Sequence, residues 1–249
     1  MAMPRICVIG NSHLAAFKHG WEMVRHDFPS VEAVFFGAVT SQLVTLEVRD
    51  SVIAGPDEVQ ASFRTTSGGQ DILRDEYDRY VVCGARFAAN VAAAHYRSHF
   101  SRDLLFAAVK GCLANIAAME VVSKIKQMGA SKIAVVPAAM PVEGPPIDSF
   151  EHIEPDHAKL FASVFADVLR SIEDEHDIEI HQQSVETLAN PLRTKAEYGR
   201  GAPRLRNVGG QPLRFRDEDP FHMNAEYGAV AWRDIFARWG KARAGHTAD

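Results

Sequence analysis

The strongest constraint on this chain is a series of short, mainly apolar runs, each of which ends at a glycine or a proline. Such runs are typical of strands that are buried on both faces of a parallel sheet. Longer stretches with helical patterns separate them, as in repeated strand–helix–strand units. We therefore predict the α/β class, as a three-layer α/β/α sandwich with a mostly parallel sheet. The runs cover residues 6–9, 31–36, 80–83 and 133–136, and end at Gly10, Gly37, Gly84 and Pro137, respectively.

One segment interrupts the alternation of strands and helices. Residues 43–66 alternate apolar and polar side chains on either side of a turn at residues 54–57, which predicts a β-hairpin inserted after the second strand. No repeat, linker or low-complexity tract divides the chain, so we predict a single domain over residues 1–249. Helices are predicted over residues 12–25, 102–128, 155–172 and 225–239, from apolar residues at helical spacing.

The composition disfavours several classes of protein. The 249 residues carry 27 Lys and Arg against 32 Asp and Glu, a net charge of −5, which argues against nonspecific binding to nucleic acid or anionic membranes. No apolar stretch approaches the ~18 residues of a membrane span, and the N-terminal apolar run is too short for a signal peptide. Three cysteines do not make a disulfide framework. We expect a cytoplasmic protein with no nucleic-acid or membrane partner, and its oligomeric state stays open.

The first motif that carries chemistry is Gly10-Asn11-Ser12-His13, which lies between the first strand and the first helix. Ligands of parallel sheets gather at the carboxyl ends of the strands, so this turn is a candidate site. Alternatively, Asn11 or Ser12 serves only as a helix N-cap, because a short oxygen side chain satisfies an orphan N–H there. A dinucleotide-binding turn is rejected, because Ser12 and Ala15 stand where that fingerprint needs glycine.

The second motif is Asp219-Pro220-Phe221-His222, which lies just before the predicted C-terminal helix. An aspartate three residues before a histidine can turn back and accept the Nδ1 proton of the imidazole. That hydrogen bond fixes the tautomer and leaves Nε2 free to act as a base. The alternative is a surface ion pair with no further role.

Together, these two motifs resemble the first and last sequence blocks of the SGNH (GDSL-like) hydrolase superfamily, whose members are flavodoxin-like α/β/α sandwiches that cleave esters. The resemblance implies that Ser12 is the nucleophile, that His222 is the general base and that Asp219 orients His222. It also implies an oxyanion hole built from the backbone N–H of Ser12 and that of Gly37, the glycine at the end of the second strand.

The middle of the chain departs from the pattern of this superfamily. Asn11 stands where the family usually has an aspartate before the serine. The third block usually reads Gly-x-Asn, with the asparagine side chain completing the oxyanion hole, but here the stretch is Gly84-Ala85-Arg86. Either Arg86 donates from that position or Asn90 reaches in, and both alternatives stay open.

Residues 199–216 are rich in arginine and contain no acidic residue, and we predict that they form a long loop without regular structure. The segment leads directly to Asp219, so it can act as a lid that pairs an anionic group of the substrate. A solvated basic loop is the alternative. The candidate substrate-binding residues are Asn11, Arg204, Arg206 and Arg214.

Other chemistry-bearing residues give weaker signals. His95 and His99 have the spacing of two metal ligands on a helix, but no third ligand is indicated, so we interpret them as solvated or capping residues. Cys83 ends a strand near the predicted site without an evident activating base, and we interpret it as a core residue. No metal and no cofactor are expected.

The sequence therefore predicts a serine esterase that cleaves a carboxylic ester through Ser12, His222 and Asp219. The substrate would be a small-molecule or saccharide ester, for example an acetyl ester of a sugar or of a polar metabolite, and the arginines allow it to be anionic. Two alternatives remain: a catalytically weakened relative that binds an anionic glycan or metabolite, and an acyltransferase that uses the same residues.

Overall fold

A central parallel sheet organises the computed structural model, which describes residues 3–69, 71–85, 101–114, 116–144, 155–208, 211–216 and 218–245. The strands are β1 (Arg5–Gly10), β2 (Glu32–Gly37), β3 (Glu47–Arg49), β4 (Val52–Ala54), β5 (Ile72–Leu73), β6 (Arg79–Ala85), β7 (Ile133–Pro137), β8 (Glu179–Ile180), β9 (Leu188–Asn190), β10 (Arg193–Thr194), β11 (Pro203–Val208) and β12 (Gln211–Arg214). The helices are α1 (Leu14–Val24), α2 (Thr40–Leu43), α3 (Asp57–Ser67), α4 (Arg102–Ala114), α5 (Ala117–Gln127), α6 (Pro155–His176) and α7 (Ala225–Gly245).

The main sheet has five parallel strands in the order β2-β1-β6-β7-β8. When only these strands are numbered along the chain, the order is 2-1-3-4-5, which is the flavodoxin-like order. The chain leaves β1 toward one edge of the sheet and later returns to the other side at β6. A crevice opens at the carboxyl ends of these two strands, where such sheets bind ligands.

Helices cover both faces of the sheet, which confirms the predicted three-layer α/β/α sandwich. Alternate residues of β1 face opposite layers, as the period of a strand requires. Ile6 and Val8 lie in the core formed with α1 and α7, whereas Cys7 and Ile9 lie in the core formed with α3, α4, α5 and α6. Cys83 is buried at the end of β6, as predicted.

The segment after β2 differs from the prediction. A short hairpin is present, but its turn lies at Asp50 and Ser51, between β3 and β4. Residues 58–66, predicted as the second strand of the hairpin, lie in helix α3 (Asp57–Ser67) instead. The segment is helical because its buried residues are spaced three and four apart, which places them on one face of a helix. The apparent alternation of apolar and polar residues was coincidental. These residues are Val59, Ser62, Phe63 and Thr66.

Two other predicted elements also differ. The helix predicted over residues 102–128 is two helices, α4 and α5, because the backbone of Ile116 is extended at the start of α5. The arginine-rich segment 199–216, predicted as a loop, contains the antiparallel pair β11 and β12. Its sequence alternates in β11, where Leu205 contacts the core formed with α1 and α7 and the neighbouring Arg204 is exposed.

Helices α1 and α7 pack closely because each has a glycine where they meet. A Cβ atom on Gly228 would overlap the backbone carbonyl of Ala16, and a Cβ atom on Gly20 would overlap the backbone of Gly228. Nearby, the fully buried Trp232 donates a hydrogen bond from Nε1 to the carbonyl oxygen of Phe17 (2.9 Å). This contact holds together the two helices that follow the two sequence motifs.

We expect the substitution Gly228→Ala to lower the free energy of unfolding by about 1–3 kcal/mol, because overpacking outweighs the better helix propensity of alanine. Gly240 in the same helix provides the control, since a Cβ atom there meets nothing within 4 Å. Gly240→Ala should stabilise the protein by about 0.5–1 kcal/mol. Chemical denaturation measures both values. Equal effects of the two substitutions would contradict the close approach of α1 and α7.

Candidate active site

The structure brings Ser12 and His222 together across 210 residues of sequence. Ser12 is exposed in the turn between β1 and α1, and its Oγ lies 2.9 Å from Nε2 of His222. This distance allows the hydroxyl to donate a hydrogen bond to the imidazole. The two residues meet at the carboxyl end of β1, beside the crevice where the strand order reverses.

Asp219 holds the other side of the imidazole. Nδ1 of His222 lies 3.0 Å from Oδ2 and 3.1 Å from Oδ1 of Asp219. Oδ1 also accepts hydrogen bonds from the backbone N–H groups of Phe221 (2.8 Å) and His222 (3.0 Å). The carboxylate therefore favours the tautomer with a proton on Nδ1, which leaves the lone pair of Nε2 facing Ser12.

The charge of Asp219 is stabilised by its surroundings. Partial burial raises the pKa of this carboxyl, but the hydrogen bonds from the N–H of Phe221 and from His222 outweigh burial, so the pKa lies below its usual value. Asp219 is thus ionised at neutral pH. An ionised carboxylate can stabilise a positive charge on His222 when the imidazole takes up a proton.

The loop that carries these residues is fixed at both ends. The backbone N–H of Val142 donates to the carbonyl oxygen of Pro220 (2.8 Å). At the other end, Oδ1 of Asn224 accepts from the N–H of Tyr227 (3.1 Å), and its Nδ2 donates to the carbonyl of Glu197 (2.8 Å). Asn224 therefore caps helix α7 and ties its start to the chain before β11.

Two aromatic residues that the sequence reasoning missed enclose the imidazole. The ring of Phe215 stacks on His222 with centroids 3.6 Å apart and an angle of 6°, and His13 stacks at 4.9 Å and 19°. Only 17% of the His222 side chain is exposed. Phe215 is the one aromatic residue in the arginine-rich segment, and this was the signal available in the sequence.

Asn11, a predicted substrate-binding residue, makes hydrogen bonds that shape the turn at Ser12. It is buried, and its Nδ2 donates to the carbonyl of Gly84 (3.0 Å) and to Oγ1 of Thr40 (3.3 Å). Its Oδ1 accepts from the N–H of His13 (3.1 Å), which shapes the turn around Ser12. Gly84 must be glycine, since its φ is +74° and a Cβ atom would overlap Oδ1 of Asn11.

Gly37, a predicted oxyanion donor, has its backbone N–H and carbonyl hydrogen-bonded to α3 in this structure. Its N–H donates to Oγ1 of Thr66 (2.9 Å), and its carbonyl accepts from Oγ of Ser62 (2.7 Å). Both backbone groups are therefore occupied by α3. A Cβ atom on Gly37 would lie 2.8 Å from Cδ1 of Leu205, so packing explains the glycine. The N–H of Ser12 stays a predicted donor, and the other two predicted donors, Arg86 and Asn90, lie outside the described residues.

Two of the three predicted substrate-binding arginines in the β11–β12 segment, Arg204 and Arg214, are exposed. Arg204 is exposed, and its guanidinium carbon lies 4.6 Å from the centroid of the Phe215 ring. Arg214 is exposed at the end of β12, and in the antiparallel register its backbone lies opposite Pro203 of β11. Arg206 lies in β11, but its side chain is outside the described part of the structure. His95 and His99, interpreted as solvated or capping residues, also lie outside it.

A cavity of about 430 Å³ lies at the carboxyl ends of β7 and β8, two strands away from β1 in the sheet. Its walls are mainly apolar, with Phe165 and Leu169 from α6 and Met140 from the segment after β7. Gln182 and Gln183 add amide groups to the lining. The volume lies within the range of small-molecule sites.

In the described ranges, no three His, Cys, Asp or Glu residues come together in a way that could hold a metal ion. No single helix within those ranges is long and apolar enough to cross a membrane, and only the bent pair α4 and α5 meets the criteria of length and composition.

Among known proteins, this chain is similar to solved structures only, and the similarity lies in the fold. No family model and no curated protein matches this chain. An extracellular lipase from Streptomyces rimosus is 8% identical, with a TM-score of 0.48 over 94% of this chain and 99% of that chain. A DUF4886 family protein from Bacteroides uniformis is 11% identical, with a TM-score of 0.45 over 92% of this chain and 81% of that chain. Similarity this low carries no argument about function, which depends on the site.

Proposed function

We propose that this protein is a serine esterase of the SGNH (GDSL-like) type. The observation that carries the proposal is the continuous hydrogen-bonded line from Ser12 through His222 to Asp219, with distances of 2.9 Å and 3.0 Å. A serine hydroxyl is a weak nucleophile unless an adjacent base takes its proton. Here His222 is that base, and Asp219 stabilises the imidazolium that forms.

The proposed reaction has two steps. Oγ of Ser12 bonds to the ester carbonyl carbon as its proton moves to Nε2 of His222, and His222 then gives that proton to the departing alcohol oxygen. The acyl group stays on Ser12 until water attacks it, again with His222 as the base. An alcohol acceptor in place of water would give acyl transfer through the same intermediate.

The oxyanion would form near the start of helix α1. The N–H of Ser12 is one proposed donor, and the positive end of the dipole of the 11-residue helix α1 favours negative charge there. Arg86 and Asn90 stay as alternatives for a further donor. Removing one oxyanion donor typically costs ~2.7–4 kcal/mol of transition-state stabilisation.

A fluorophosphonate probe tests the proposal directly. We expect covalent labelling at Ser12, located by peptide mass spectrometry, and no labelling of Ser12→Ala or of heat-denatured protein. Ser12 is exposed, so its replacement should leave the fold intact, which circular dichroism checks. A panel of p-nitrophenyl esters from acetyl to octanoyl then gives the acyl length. Absence of labelling, with ester turnover no faster than in Ser12→Ala, would leave a noncatalytic relative that binds anionic ligands.

We further propose that the arginines of the β11–β12 hairpin, Arg204, Arg206 and Arg214, bind an anionic part of the substrate. We expect Arg214→Gln to raise KM about 10-fold for a mono-p-nitrophenyl succinate and to leave KM for the neutral p-nitrophenyl acetate unchanged, because a charge-assisted hydrogen bond contributes ~1.5–3 kcal/mol. Arg170→Gln, on the exposed face of α6, is the matched control. An equal rise for both esters would contradict recognition of the charge.

A further inference from the structure

Four side chains form one continuous stack through the candidate base. His13 lies against one face of the His222 ring and Phe215 lies against the other, with centroid distances of 4.9 Å and 3.6 Å. Beyond Phe215, the guanidinium carbon of Arg204 lies 4.6 Å from the ring centroid. The imidazole already covers one face of Phe215, so the guanidinium lies against the opposite face.

The stacked rings restrict the tilt of the His222 imidazole, which its hydrogen bonds alone do not restrict. The χ2 torsion of a histidine has a broad energy minimum, so an imidazole can tilt out of line unless its faces are blocked. At His222, the in-plane contacts to Ser12 and Asp219 fix where the nitrogens point. The two stacked rings limit the tilt and exclude water from the faces.

The stack also bears on the charge that His222 acquires. The face of an aromatic ring attracts a cation, so Phe215 stabilises the imidazolium form. Arg204 has the opposite effect, because it occupies the other face of the same ring and adds a positive charge roughly 8 Å from the imidazole. Two titratable groups that also contact His222 are Asp219 on its own loop and His13 before α1.

We propose that Phe215 is a positioning residue for His222, and that Arg204 holds the Phe215 ring in place while reducing the basicity of the imidazole. This inference depends on the proposed esterase function for its kinetic consequences. The expected effects on the protonation of His222, favourable from Phe215 and unfavourable from Arg204, do not depend on whether the protein acts on esters.

The test compares two substitutions that should move one titration in opposite directions. Phe215→Leu removes the aromatic face, and we expect the midpoint of the His222 titration, followed by NMR, to fall by about 0.4–0.7 pH unit. Arg204→Gln removes the charge, and we expect the midpoint to rise by about 0.3–0.5 pH unit in low salt. Phe215→Tyr keeps the ring and should restore the wild-type midpoint.

Kinetics supply the second readout. Phe215→Leu should lower kcat for p-nitrophenyl acetate about 10- to 100-fold with KM nearly unchanged, because a misplaced base affects the reaction more than substrate binding. The acid limb of the pH–rate profile should follow the NMR midpoints in both variants. Shifts of the same sign, or no shift in either variant, would overturn the inference. If wild-type protein hydrolyses no ester but the opposite shifts occur, only the proposed function fails.

Discussion

Replacing His222 with glutamine is expected to lower kcat for ester hydrolysis by roughly 10⁴- to 10⁶-fold, the largest effect that we predict for a single residue. Glutamine has a neutral side chain that cannot take a proton from Ser12 at neutral pH. Oγ of Ser12, now 2.9 Å from Nε2 of His222, would lose its base. KM should change little, since the imidazole acts on the transition state more than on the bound ester.

Steady-state turnover of p-nitrophenyl acetate measures this effect, and the rate of fluorophosphonate labelling should fall in parallel. His26→Gln is the matched control, because His26 lies on the surface beside Asp27 with 73% of its side chain exposed. It should keep wild-type kcat. A His222→Gln variant that retains more than a tenth of wild-type kcat would exclude this histidine as the general base.

Replacing Asp219 with asparagine should lower kcat by roughly 10³- to 10⁴-fold without unfolding the protein. The side-chain oxygen of asparagine can still accept the N–H groups of Phe221 and His222, which now bind Oδ1. The amide NH₂ group then faces Nδ1 of His222. Two donors cannot share one hydrogen bond, so the imidazole adopts the tautomer with the proton on Nε2, which cannot accept from Ser12.

The pH dependence of stability checks that Asp219 is ionised in the folded protein. Its pKa is depressed, so the ionised carboxylate stabilises the fold above the unfolded-state pKa of about 3.9, and this contribution disappears as pH falls through the lower, folded-state pKa. Relative to wild type, Asp219→Asn should therefore be less stable at pH 7, with the gap narrowing toward pH 2. A gap that is constant with pH, together with unchanged kcat, would contradict the proposed role of Asp219.

Much of the fold could be predicted because it is encoded locally. An apolar run that ends at Gly10 or Pro137 specifies both a buried strand and the point where the strand stops. The turn at residues 10–13 and the loop at residues 219–222 are also local, so the residues that meet at the site were visible as motifs. Their meeting depends on the sheet order, which the resemblance to SGNH hydrolases implies and which the α/β class alone leaves open.

The features that were missed arise from tertiary contacts. Nothing near Gly37 in sequence indicates that Thr66 of α3 accepts its N–H. In residues 57–67, Val59 and Phe63 share one face in either a strand or a helix. The exposure of Ala61 and the burial of Thr66 are what distinguish the helix. The stacking of Phe215 on His222 depends on a hairpin whose register is not apparent from its arginines.

The glycine contact between α1 and α7 also has a consequence for biosynthesis. Ser12 emerges from the ribosome 210 residues before His222, which directly precedes the helix that packs on α1. The nascent chain therefore carries Ser12 without its histidine while these 210 residues are made. Under the proposed function, Ser12 would become reactive only when α7 docks on α1, so a polypeptide that lacks α7 would be unable to attack esters.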